Sequence, residues 1–147
     1  MDDMQSEFME GGLAEMCGAD HVLTIGLLTS VGRTLDAFFV EIAKRWEDLG
    51  IKVVAAAGDA SRGFVTQKVI EGMTRKPMLS NVRSLSSIRN WVKQEEIDVV
   101  ITNTATASTL MRLSGAEARI IYFCHGLHWN RPGWKSIPFM AVERSLL

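Results

Sequence analysis

Short apolar runs alternate with longer stretches of helical periodicity along the chain, and the alternation predicts successive βα units. Residues 22–28 form a mostly apolar strand, and 29–33 are the turn after it. Leu35, Phe38, Phe39, Ile42, Ala43 and Trp46 then recur at helical spacing, with Gly50 as the closing cap. A second apolar strand over residues 51–57 ends at Gly58-Asp59, which makes the opening unit a parallel βαβ with a right-handed crossover. Residues 68–73 suit an edge strand. Ser80 or Asn81 is placed to cap a helix carrying Leu85, Ile88, Trp91 and Val92 that ends near Glu95-Glu96. Residues 97–102 are the next buried strand, 105–113 a helix closed by Ser114-Gly115, and 119–124 a further strand. The fold class is α/β: a Rossmann-like open, mostly parallel sheet with helices on both faces.

The first 20 residues break this pattern. They hold six acids and no base, and Gly11, Gly12 and Gly18 interrupt them, so they read as a mobile acidic leader or loosely docked helix. With no positive n-region this leader is not a signal peptide, and the expected location is cytoplasmic. The domain is expected over 21–147. The whole chain of 147 residues carries a net charge of −1, but removing the leader's six acids leaves 16 bases against 11 acids, a surplus of five. That mildly basic body suits a phosphorylated substrate or an anionic membrane surface and is too diffuse for nucleic acid. No apolar run approaches the ~18 residues that span a bilayer. Cys17 and Cys124 form no disulfide framework, and Cys124 reads as a core residue.

The most informative stretch is residues 120–131, Ile-Ile-Tyr-Phe-Cys-His-Gly-Leu-His-Trp-Asn-Arg. A β-branched and aromatic run stops abruptly at a His-Gly pair, which puts His125 at a strand's carboxyl end, where open parallel sheets bind ligands. His125 and His128 lack a third ligand at a convincing spacing, so no metal site is expected. The turn at Gly32 and Arg33 lies where backbone N–H groups at a helix start can meet a phosphate, although no G-x-G-x-x-G dinucleotide motif is present. Arg75, Lys76 and Arg131 are candidates for an anionic acceptor. Trp129 and Trp134, among basic side chains, suit a sugar face or a membrane interface. Each feature also has a plain reading: a strand-capping histidine, an ordinary βα turn, solvated bases, and indoles packed on the sheet edge.

The 120–131 pattern resembles the His-Gly segment of the N-terminal domain of family 4 glycosyltransferases, which have the two-domain GT-B architecture. Other blocks agree in order and spacing. Residues 29–35 look like that family's first loop, and 75–77, Arg-Lys-Pro, resemble its basic-x-Pro turn after the third strand. Residues 97–104 resemble "Y-D-I-V-H-T-H-T", with Asn103 in place of a His, and Ala105 stands where Pro is common. Residues 137–147, with Glu143-Arg144, resemble "Y-P-I-E-R-L-L-A".

The resemblance implies a retaining glycosyltransferase of the hexosyltransferase type, moving a sugar from a nucleotide-sugar donor to a carbohydrate or lipid-linked acceptor in polysaccharide or glycolipid synthesis. It makes His125 the candidate catalytic residue and Gly32, Arg33, Arg75, Thr104, Gly126, His128 and Arg131 candidate substrate-binding residues. No cofactor is implied beyond the nucleotide-sugar substrate. The C-terminal donor domain, or a partner subunit supplying it, is expected outside this chain, because residues 139–147 are apolar to the end and should pack against something. Alone, the chain is expected to lack substantial activity; peripheral contact with the inner membrane face is expected for a lipid-linked acceptor. The competing class is a non-catalytic Rossmann-like binding or interaction module, or one subunit of a split transferase. A flavodoxin-like signalling domain is weaker, since Asp59 lacks the supporting acidic pair of a phosphoacceptor.

Overall fold

A computed structural model describes residues 21–75 and 79–123. The described residues form a five-stranded sheet in the order β3-β2-β1-β4-β5, with every strand parallel to its neighbours. The strands are β1 (Thr24–Thr29), β2 (Lys52–Ala57), β3 (Lys68–Val69), β4 (Val99–Thr102) and β5 (Arg119–Tyr122). All six residues of β1 are buried, as befits the middle strand of a sheet covered on both faces.

Alternation along the strands divides the core into two layers. Ile25, Leu27, Ala55 and Ala57 face α1 (Gly32–Phe38) and α2 (Val40–Asp48), where they pack with Leu35, Phe39 and Ala43. Leu28, Ala56 and Val100 face α3 (Ser84–Gln94) and α4 (Ala105–Leu113), and pack with Ile88, Trp91, Val92, Leu110 and Met111. Complete burial of each large apolar side chain contributes about 1.5–3 kcal/mol. Both layers thus stabilise the same central strand, and the helices cover opposite faces on either side of the strand-order reversal between β1 and β4.

Three local features differ from expectation. The first helix is two helices meeting at Phe39, whose φ of −116° departs from helical backbone while its ring is buried in the core. The edge strand is two residues long, because Ile70 and Met73 turn inward to the core instead of continuing along the sheet. Neither Ser80 nor Asn81 caps α3, which begins at Ser84 after a 3₁₀ helix (Leu79–Arg83). The Asn81 side chain is engaged by the Thr74 hydroxyl at 3.1 Å, while its carbonyl accepts from Ser84 Oγ at 2.6 Å. Gly50 closes α2 with φ of +80° as expected, its N–H donating to the Glu47 carbonyl at 2.9 Å.

Asp98 ties the amino edge of the sheet together. Its carboxylate accepts the Thr24 N–H at 2.8 Å and meets His21 Nε2 at 2.9 Å, while its backbone N–H donates to the Thr24 carbonyl and its carbonyl accepts from Arg119 N–H. Partial burial pushes its pKa up, but the Thr24 and His21 hydrogen bonds outweigh that and hold it below the ordinary carboxylate value. Asp36 is lowered too, by hydrogen bonds from the Ser61 hydroxyl and the Gly63 and Arg62 N–H groups. A depressed carboxylate stabilises the fold above its unfolded pKa, about 3.9, and that contribution is lost as pH falls through the lower folded value. The urea midpoint is therefore expected to drop below about pH 4, less steeply in Asp98→Asn. Equal acid slopes in the two proteins would show that Asp98 carries none of it.

Candidate functional site at the carboxyl edge

Strand order reverses between β1 and β4, so the connections leaving these strands diverge to opposite faces and leave a crevice outside their carboxyl ends. Among the described residues, three loops border this edge, 29–33 after β1, 58–67 after β2 and 102–104 after β4, together with Phe123 after β5. Thr29, Ser30, Thr102 and Asn103 form its buried polar floor. Thr29 Oγ1 donates to the Val31 carbonyl at 2.9 Å, and Thr102 Oγ1 to the Ile121 carbonyl at 3.4 Å. Ser30 Oγ is buried with no hydrogen-bond partner, which is rare for an interior hydroxyl.

The expected site residues divide three ways. Gly32 and Arg33 lie on the first loop, with Gly32 buried and Arg33 exposed. The Gly32 N–H, expected to be open to a phosphate, is engaged by Asp59 Oδ1. Thr104 lies at the crevice and is the N-cap of α4, its hydroxyl accepting the Ala107 N–H at 3.3 Å, so its side chain already has a structural task. Arg75 is exposed, and its carbonyl accepts from Thr106 Oγ1 at 3.1 Å, which joins the turn after β3 to α4. The third group, His125, Gly126, His128 and Arg131, lies outside the described residues, as do the leader, Lys76-Pro77, Trp129, Trp134 and residues 139–147.

The structure adds residues that sequence reasoning missed. Asp59 binds the first loop, and Gln67 braces it, its Nε2 donating to the Asp59 carbonyl at 2.6 Å and its Oε1 accepting the Ser61 N–H at 2.7 Å. Asp36 on α1 takes the Ser61 hydroxyl and the Arg62 and Gly63 N–H groups. Loops 29–33 and 58–67 are thereby locked to each other. No signal in one sequence marks pairs 25–27 residues apart; only the placement of Asp59 straight after a strand-ending glycine hinted at the site. A depression of about 450 Å³ between Asp36, Phe38, Val40, Glu41, Arg62 and Gly63 flanks α1. The Asp36 carboxylate in it is already satisfied by the loop. Among the described residues no group of three His, Cys, Asp or Glu can hold a metal, and no helix is long and apolar enough to cross a membrane.

An all-parallel sheet whose strand order reverses between β1 and β4, with helices on both faces, defines a Rossmann-like domain. The family model of Glycosyltransferase Family 4 matches residues 36–147, and the chain belongs to that family. Its architecture is that of the N-terminal domain of a GT-B glycosyltransferase. Among solved structures, the apo form of the lipopolysaccharide outer core galactosyltransferase WaaB superposes with a TM-score of 0.55 at 13% identity, over 80% of this chain and 37% of that one. MurG of Acinetobacter baumannii gives 0.49 at 14% identity, over 82% of this chain and 39% of that one. The chain thus spans less than two-fifths of either structure. No curated protein sequence matches it.

Proposed function

We propose that this chain is the acceptor-side half of a retaining hexosyltransferase, which moves a sugar from a nucleotide-sugar donor to a carbohydrate or lipid-linked acceptor in polysaccharide or glycolipid assembly. The observation that carries the reading is the family match, which runs from Asp36 through residues 125–131. The sheet gives that segment its context: the Phe123 N–H donates to the Thr102 carbonyl at 2.7 Å, so β5 ends level with the crevice floor.

Transfer breaks the bond from the anomeric carbon to the departing phosphate and forms one to an acceptor hydroxyl, whose proton must leave. The domain's contribution is to hold the acceptor and form one wall of the cleft; a C-terminal domain or partner subunit supplies the nucleotide-binding wall. Separated reactants lose the advantage of orientation, so this chain alone binds without appreciable turnover. The proposed contacts are His125, Gly126, His128 and Arg131, with Gly32, Arg33, Arg75 and Thr104 among the described residues. A lipid-linked acceptor would bring the domain to the inner face of the membrane.

Ligand-observed NMR of the purified chain tests this with UDP- and GDP-sugars and short polyprenyl-pyrophosphate sugars. Binding of the lipid-linked sugars, lost in folded His125→Ala, is the expected result. A folded chain that binds none of them would leave a docking module as the better reading.

A further inference from the structure

At the break between α1 and α2, adjacent phenylalanines part: Phe39 is buried in the core, and Phe38 is left 49% exposed. Phe38 forms one wall of the depression of about 450 Å³ between α1, the start of α2 and the loop after β2, a volume within the range of small-ligand pockets. Val40 extends the apolar wall, and Glu41 and Arg62 supply exposed charged side chains to the same lining. Among the described residues, no ion pair or side-chain hydrogen bond engages either of these two. The loop wall is fixed. Asp36 accepts the Ser61 hydroxyl and the Arg62 and Gly63 N–H groups, the last at 2.8 Å, and a methyl group at Gly63 would lie 2.5 Å from Val40 Cγ2. The loop therefore seats directly on the helices, and the depression is preformed.

From this geometry we infer that the depression is a second carbohydrate subsite, which holds a neutral sugar ring of a longer acceptor stacked on Phe38 and hydrogen-bonded by Glu41 and Arg62. The inference rests on the glycosyltransferase reading and adds to it a contact remote from the transferred sugar. Three features select this ligand. The faces of an aromatic ring are negative, so Phe38 attracts the polarised C–H bonds on the face of a pyranose. Sugar hydroxyls both donate and accept, so a single ring serves a carboxylate and a guanidinium at once, through charge-assisted hydrogen bonds. An anion is disfavoured, because Asp36 and Glu41 against Arg62 leave the lining with one more acid than base. The placement agrees with this role. The loop over 58–67 borders the crevice at Asp59 and the depression at Arg62 and Gly63, so the two sites lie on either side of one loop. An acceptor of several sugars that leaves the crevice across this loop meets the depression next.

The test uses the ¹⁵N-labelled chain, with maltose, lactose and cellobiose as neutral probes and inorganic phosphate as the anionic one. At least one disaccharide should shift the Phe38, Glu41 and Gly63 amide resonances, and phosphate should leave all three unmoved. Phe38→Leu keeps an apolar wall without an aromatic face, and Arg62→Gln keeps a donor without the charge; each should weaken that disaccharide about tenfold. Phe38→Trp should retain the binding that Phe38→Leu loses. If Phe38→Leu unfolds, Arg62→Gln, which alters only an exposed side chain, still decides. Disaccharide shifts of equal strength in the folded variants, or phosphate shifting these amides in the wild type, overturn the inference. Disaccharides that shift only crevice residues such as Ser30 and Thr104 overturn it alone and leave the transferase reading in place. Disaccharides that shift nothing overturn it as well, and the transferase reading then falls with it only if the lipid-linked sugars also fail to bind.

Discussion

Replacing Gly58 with alanine is expected to lower the melting temperature by roughly 10 °C, because the added methyl group has nowhere to go. It would lie 2.0 Å from the Met73 carbonyl oxygen and 2.8 Å from that of Ser30. Both are backbone atoms, so no rotamer change relieves the clash. Overpacking costs about 1–3 kcal/mol, and a site walled by main chain belongs at the upper end. For a chain of this size each kcal/mol lowers the midpoint by about 3 °C. The relief would come from separating the loops after β1, β2 and β3, the ones that frame the carboxyl edge. Gly50 is the control: nothing lies within 4 Å of an added Cβ there, and only its positive φ resists alanine, at a cost of about 1 kcal/mol. A Gly58→Ala protein melting within about 2 °C of wild type would show that the loops yield cheaply and that the close packing is not structural.

The consequence reaches the neighbouring loop because the same backbone segments pack and hydrogen-bond there. Ser30 precedes the Gly32 turn, and Gly58 precedes Asp59. A methyl group that separates Gly58 from Ser30 also pulls Asp59 from the Gly32 N–H. The two loops at this edge are thus coupled in stability, whereas Asp98 stabilises the sheet from its amino edge.

How much of this could be read from the chain follows from the range of each interaction. The strands over 24–29, 52–57 and 99–102 and the helix over 105–113 were legible because period and β-branching are local, and Ser114-Gly115 is a local stop. Their assembly into one parallel sheet followed from chain order and handedness. The break at Phe39 was not legible, since the apolar spacing is the same on both sides of it and only burial against Leu27 and Ala55 fixes the ring. Asn81 looked like a cap because capping propensity is local, but Thr74 claims its side chain. At the carboxyl edge, the sequence offered Gly32 as a turn residue and could not show that Asp59, 27 positions later, occupies its N–H. Thr104 was singled out from a motif position, and its cap on α4 emerged only with the helix in place.

The largest functional effect is expected at His125. In the full-length enzyme, His125→Ala should lower turnover about 10²-fold with an unchanged melting temperature, the loss typical of a positioned acid–base or orienting group. Two roles separate under further substitution. If the imidazole orients the donor by donating a hydrogen bond, His125→Gln restores part of the activity, and the pH profile keeps its shape. If it takes the acceptor's proton, glutamine restores nothing, because an amide cannot bind a proton near neutral pH. A folded His125→Ala enzyme with wild-type turnover would remove His125 from the site and shift the search to His128 and Arg131.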